Sequence, residues 1–189
     1  METPLLTEPD IRQRIGLELQ RATQDRHHEW RTPVLATVGA DSLPQARTVV
    51  LRHADPKLCS LQIYTDSRSP KVAELAAKPE VVLVFWSKRL SWQLRVRAVT
   101  SVQRNGPEVD AVWARVSQSA AAGDYLSACA PGDALPPDDA ANAAEARLQQ
   151  LHHLAIITAQ VQEVDWLELA RSGHRRAVFS SDRWAWRVP

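Results

Sequence analysis

Strand-length apolar runs separated by short turns recur along almost the whole chain, and this rhythm limits the possible folds more than any other feature. The clearest run is SWQLRVRAVTSVQ at 91–103. Leu94, Val96 and Ala98 take one parity and Gln93, Arg95 and Arg97 the other, so a strand here has one apolar and one charged face. TPVLATVG at 32–39, a turn at GADSLP and QARTVVLR at 45–52 read as a hairpin. LCSLQIYT at 58–65 alternates in the same way, and PEVVLVFWS at 79–87 is a strand opened by a proline. LAIITAQVQEVDWLEL at 154–169 is a long strand, and HRRAVFSS and RWAWRV close the chain as two shorter strands around a turn at Ser180 to Asp182.

Helical periodicity is confined to a few segments. From Thr7 to about His28, Ile11, Ile15 and Leu19 lie four apart on one face, with Arg12, Arg14, Glu18 and Arg21 largely around the others. Thr7 is placed to cap this helix, with Pro9 in its first turn. Residues 69–78, 107–121 and 139–151 also read as helices. The proline-rich stretch at about 128–140 reads as a flexible loop, not a domain boundary, because strands resume beyond it. With strands outnumbering helices and short turns between them, the expected fold is mainly β with peripheral α. A closed antiparallel barrel forming one domain over 1–189 is favoured over a parallel α/β sheet.

Composition narrows the function classes. Lys and Arg total 23 against 22 Asp and Glu, so no global field gathers nucleic acid or an anionic membrane. The longest apolar run, VVLVFW at 81–86, is far short of the roughly 18 residues a membrane span needs. The first residues lack a basic flank followed by an apolar run, which predicts a cytoplasmic protein. Cys59 and Cys129 are expected as plain thiols, and the adjacent pairs His27-His28 and His152-His153 point apart, so no metal is expected. Seven tryptophans suit packing, subunit interfaces or stacking on a flat ligand. No nucleophile elbow, triad context, Walker pattern or GxGxxG is present, which favours cofactor-borne redox chemistry over hydrolysis by side chains.

One stretch concentrates polar chemistry. In YTDSRSPKVAEL, Tyr64 to Leu75, a strand ends in Ser67, Arg68, Ser69 and Lys71 just where a helix begins. A helix N-terminus offers unpaired amides and a positive dipole end, and a hydroxyl and a cation beside it suit a phosphate. The same residues also read as an ordinary serine cap before Pro70. Upstream, Arg47 and Arg52 stand five apart, on opposite faces of a regular strand, so their roles should differ.

Taken in order, ARTVVLR, YTDSRSPK, WQLRVR and a terminal W...HRR...W resemble the pyridoxamine 5'-phosphate oxidase family of FMN-binding split barrels, from about Leu35 to Pro189. The resemblance implies an antiparallel split β-barrel, with FMN at the two-fold interface of a homodimer. It implies Arg47 and Lys71 as phosphate cations with Ser69 as helper. Arg68 would supply a charge where the family has an arginine and this chain has Pro70. The backbone of Thr48, Val49, Val50 and Leu51 would run beside the flavin, with Tyr64 and Thr65 at its edge, Gln93 near the ring, and Trp166 and Arg176 from the terminal segment. Arg52 and His174 would face a small-molecule substrate; no catalytic residue is assigned. Ser172-Gly173-His174 stands where the family has an arginine-x-histidine pair, which counts against pyridoxine phosphate as substrate. The function implied is an FMN-dependent oxidase passing a hydride from a small amine or alcohol to the flavin, with dioxygen as acceptor. A nicotinamide-fed flavin reductase and a non-catalytic flavin- or tetrapyrrole-binding protein are the alternatives.

Overall fold

A computed structural model describes residues 6–134, 152–171 and 173–189. The helix expected at 139–151, the end of the 128–140 loop and Ser172 lie outside the described residues.

The first helix, α1 (Glu8–Gln24), buries Ile11, Ile15, Leu19 and Ala22. At its start the Thr7 amide and hydroxyl both donate to the Asp10 carboxylate. It stops four residues before the expected end because Asp25 turns its carboxylate back to accept from the His27 amide, offering the chain a turn in place of another helical bond. Gly16 meets the following layer closely: a Cβ there would sit 2.7 Å from the Pro56 carbonyl oxygen.

Nine strands form one antiparallel sheet. They are β1 (Val34–Val38), β2 (Pro44–Thr48), β3 (Leu51–Ala54), β4 (Ser60–Asp66), β5 (Glu80–Ser87), β6 (Trp92–Gln103), β7 (Leu154–Glu168), β8 (Arg175–Phe179) and β9 (Trp184–Arg187). The main path runs β2-β1-β5-β6-β7-β4-β3, with β8 on β7 and β9 on β8. The expected single strand at 45–52 is two strands: β2 pairs with β1, β3 pairs with β4, and Val49-Val50 joins the two ends of the path. That link closes the barrel, and the face-parity argument for Arg47 and Arg52 lapses at the break.

The long strand β7 makes the split possible. Its first half pairs with β4 and its second half with β8, while β6 accompanies it throughout, with a register shift at Arg97/Ala98. The inward parity of β6 is Trp92, Leu94, Val96 and Ala98, all buried, and Gln93, Arg95 and Arg97 face outward as the alternation predicts. Leu35, Leu51, Ile63, Leu83, Phe85 and Trp166 join them in the core. Burial of such side chains stabilises by about 1.5–3 kcal/mol each.

Helix α2 (Pro70–Ala77) packs on β1 and β6 at one rim. Helix α3 (Pro107–Val116) covers β7 with a smaller apolar cluster of Val109, Val112, Tyr125, Leu154 and Ile156. It is shorter than expected because Ser117 and Ser119 return their hydroxyls to the carbonyls of Ala114 and Val116.

Candidate functional site: a cationic rim under helix α2

Arg47, Thr37 and Thr65 share the inward parity of β2, β1 and β4, at the rim that α2 closes. Arg47 stands opposite Leu35 in the β1–β2 register, and Thr65 opposite Ala155 in the β4–β7 register. The turn after β4 brings Ser69, 2% exposed, to the position just before α2. Its hydroxyl makes no cap to the helix. It lies 3.2 Å from the Thr65 hydroxyl, and the Lys71 ammonium donates to both oxygens at 3.1 Å. The plain serine-cap reading therefore does not describe Ser69: its side chain serves the lysine.

Lys71 is half-buried, and both of its hydrogen-bond partners are neutral. Burial, reinforced by the nearby Arg47 charge, holds its pKa below the ordinary lysine value, against weaker opposing pulls from Asp66 and Glu74. Among the described residues the ammonium is hydrogen-bonded to hydroxyls and to no carboxylate. Arg47 completes the rim, donating from Nη2 to Glu74 at 2.8 Å and from Nη1 to Thr37.

Arg68, expected to add a charge to the phosphate site, is already engaged in the turn before α2. Its guanidinium chelates Asp66, with Nη2 at 2.7 Å, and donates to the carbonyls of Ser127, Ala128 and Cys129. It ties the α2 turn to the 127–129 segment. Thr48 is exposed, Val49 and Leu51 are buried, and Val50 is half-buried, so this stretch offers an outer backbone edge next to the rim.

Tyr64 faces outward, opposite in parity to Thr65, and the Arg52 guanidinium lies 5.7 Å over its ring. Arg52 Nε is buried and has no hydrogen-bond partner among the described residues. Gln93, His174 and Arg176 stand elsewhere. Gln93 pairs with Leu167, which pairs with Arg176, and both side chains take the outward parity, opposite to Arg47, Thr37 and Thr65. Arg176 is spent on Asp165, with bonds of 2.9 and 2.7 Å, and Arg95 joins the same carboxylate. Burial of Asp165 opposes its ionisation, but the two arginines outweigh it and hold its pKa down. His174 is exposed. Trp166 is 0% exposed and packs in the core against Trp92 with centroids 5.2 Å apart.

Sequence reasoning missed Glu74, Thr37 and Asp165. Glu74 had a local signal, being three residues from Lys71 on one helix face. Thr37 and Asp165 are brought in by pairing between distant strands, which spacing alone does not show. Among the described residues no group of three or more His, Cys, Asp or Glu is placed to hold a metal. None of the described helices is long and apolar enough to cross a membrane.

The closed antiparallel barrel, with its helix-capped rim, defines a split barrel of the flavin-binding kind. Residues 14–104 match the family model described as pyridoxamine 5'-phosphate oxidase, FMN-binding domain. A pyridoxine/pyridoxamine 5'-phosphate oxidase from Caulobacter vibrioides is 30% identical over 124 residues, 66% of this chain and 54% of the relative. One from Azorhizobium caulinodans is 38% identical over 104 residues, 53% of this chain and 47% of that protein. The matches thus span about half the length of these curated relatives. Among solved structures, a pyridoxamine 5'-phosphate oxidase-related FMN-binding protein from Nostoc punctiforme superposes with a TM-score of 0.70 at 17% identity, covering 98% of this chain and 100% of that one. PhzG from Burkholderia lata, in complex with tetrahydrophenazine-1-carboxylic acid, gives 0.73 at 19% identity, covering 99% and 96%. Residues 14–104 are similar to the FMN-binding domain of the pyridoxamine 5'-phosphate oxidase family, and the fold over nearly the whole chain is that of its split-barrel relatives.

Proposed function

We propose that this chain binds FMN through its phosphate at the α2 rim and works as an FMN-dependent oxidoreductase on a small amine or alcohol. The observation that carries this reading is the Lys71 ammonium, half-buried with only hydroxyl partners beside Arg47. Two cations, the hydroxyls of Ser69 and Thr65 and the positive end of α2 match the charge and acceptor oxygens of a phosphate monoester. When bound, the flavin ring supplies the redox chemistry, taking a hydride from a carbon bonded to nitrogen or oxygen and passing two electrons to dioxygen as hydrogen peroxide. Lys71 and Arg47 hold the phosphate, and the outer edge of Thr48 to Leu51 flanks the ring. Tyr64 and Arg52, close to that edge, orient the substrate, and the unpartnered Arg52 Nε is available as a donor to it.

Gln93 and Arg176 face outward on β6 and β8, and His174 is exposed just before β8, so none shares the inward face of the rim in its own chain. A homodimer in which a second copy brings these positions to each rim accounts for both halves of the expected residue set.

The test is a visible absorption spectrum after incubation with excess FMN and removal of unbound flavin, with riboflavin as the control lacking phosphate. Retained colour near one flavin per chain with FMN and little with riboflavin is expected, and a colourless protein overturns the assignment. A screen of amines and alcohols for peroxide release, run beside NADH and NADPH oxidation, then separates an oxidase from a flavin reductase.

A further inference from the structure

The Arg47 guanidinium already has an anionic partner. Its Nη2 lies 2.8 Å from Glu74 Oε2, in a pair whose side chains are 24% and 12% exposed. Thr37 donates its hydroxyl to the same oxygen at 2.5 Å. Glu74 lies about one helical turn beyond Lys71 on α2, so its carboxylate faces the same rim as the ammonium. The charges there are Arg47 and Lys71 against Glu74, since Asp66 is matched by Arg68. A phosphate monoester brings about two negative charges. With Glu74 held in place, the rim offers one positive charge net and leaves such a ligand short by one.

We propose that Glu74 is an internal competitor at the anion site: its carboxylate occupies Arg47 where a phosphate oxygen would bind, and so sets how strongly the rim prefers a phosphorylated ligand over its unphosphorylated form. An arriving phosphate takes Arg47 from Glu74, whose oxygen keeps the Thr37 hydroxyl as donor. The ligand identity rests on the FMN reading, whereas the competition for Arg47 applies to any phosphate. Removing the carboxylate charge while keeping the shape of the side chain frees Arg47 and relieves repulsion of the incoming anion.

The experiment is calorimetric titration of the unsubstituted protein and of Glu74→Gln with FMN, riboflavin and inorganic phosphate. FMN and phosphate should bind the variant about tenfold more tightly, the scale of one half-buried charge contact. Riboflavin should stay within about twofold, because it presents no phosphate to the released arginine. Glu74→Asp, which keeps the charge on a shorter arm, should give a smaller gain, and melting temperatures establish that each variant folds. If FMN binds neither protein while phosphate still gains, the flavin reading fails and the competition stands. Unchanged or weakened phosphate binding in Glu74→Gln overturns it, as does an equal gain for riboflavin or an absence of phosphate binding by both proteins. Should Glu74→Gln not fold, unchanged phosphate affinity in Glu74→Asp gives the same negative result.

Discussion

Lys71 is the residue on which the proposed phosphate site rests. Its ammonium is desolvated and lies near Arg47, so the folded chain binds that proton less tightly than the unfolded chain does. Stability of the ligand-free protein should therefore rise with pH between the lowered value and the ordinary 10.5, where the unfolded chain holds more protons. A bound phosphate reverses this preference by pairing the charge. Lys71→Met should leave the ligand-free protein as stable or more stable, by up to about 1 kcal/mol or about 2–4 °C in Tm. The same variant should weaken FMN binding by about a hundredfold. Differential scanning calorimetry with a flavin titration checks both halves, and a destabilised variant that still binds FMN would contradict the account. At this scale much of the site was legible: a strand ending in hydroxyls and a cation at a helix start pointed to Ser69 and Lys71. The fates of Arg68 and Arg176 were not legible, because each is decided by a carboxylate and neighbours whose approach only folding fixes. Glu18 is similar. It reads as a polar-face residue of α1, yet it is 4% exposed, held by His28 at 2.8 Å and by Arg89 from the β5–β6 turn.

At the level of elements, periodicity located every described strand, and errors gathered where one apolar run serves two neighbours. QARTVVLR has no turn residue at Val49-Val50, so nothing local announces that β2 ends and β3 begins. The break exists because β1 and β4 each capture one half, and the Val49 amide is satisfied by the Pro33 carbonyl at 3.0 Å. The docking of α1 was legible as an apolar stripe, but not its closeness to the β3–β4 turn. Gly16→Ala places a methyl group 2.7 Å from the Pro56 carbonyl oxygen, a backbone atom that cannot move without shifting the turn. That overpacking should cost about 1–3 kcal/mol despite the better helix propensity of alanine. Urea denaturation checks it; a variant more stable than the parent would show that the helix slides freely over the turn.

At the scale of the whole molecule, the outer face of β1, β5 and β6 is left uncovered by the described residues. Val34, Trp86 and Val99 are 36%, 46% and 39% exposed on it, beside the Arg95–Asp165–Arg176 cluster. An apolar strip with a large aromatic and flanking charges has the composition of a subunit interface. The proposed homodimer should use this face, so Trp86→Glu should shift the protein from dimer to monomer and lower FMN retention at the same time. Light scattering after gel filtration, with flavin absorbance across the peak, reads both quantities; a parent protein that is monomeric yet fully loaded with FMN would rule out a shared site.

Alternation of period two along the strands, helical stripes on α1 and α2, and the hydroxyl-cation cluster at Ser69-Lys71 determined the mainly-β barrel and half of its proposed anion site. Those features are local, since side-chain parity and helix-terminus chemistry depend on residues a few positions apart. Tertiary structure alone decided the closure through Val49-Val50, the pairing of Arg47 with Glu74, and the row that sets Gln93 and Arg176 on the outward face. These depend on which strands meet and in what register, and that is set by packing the whole barrel against its core, not by any one segment.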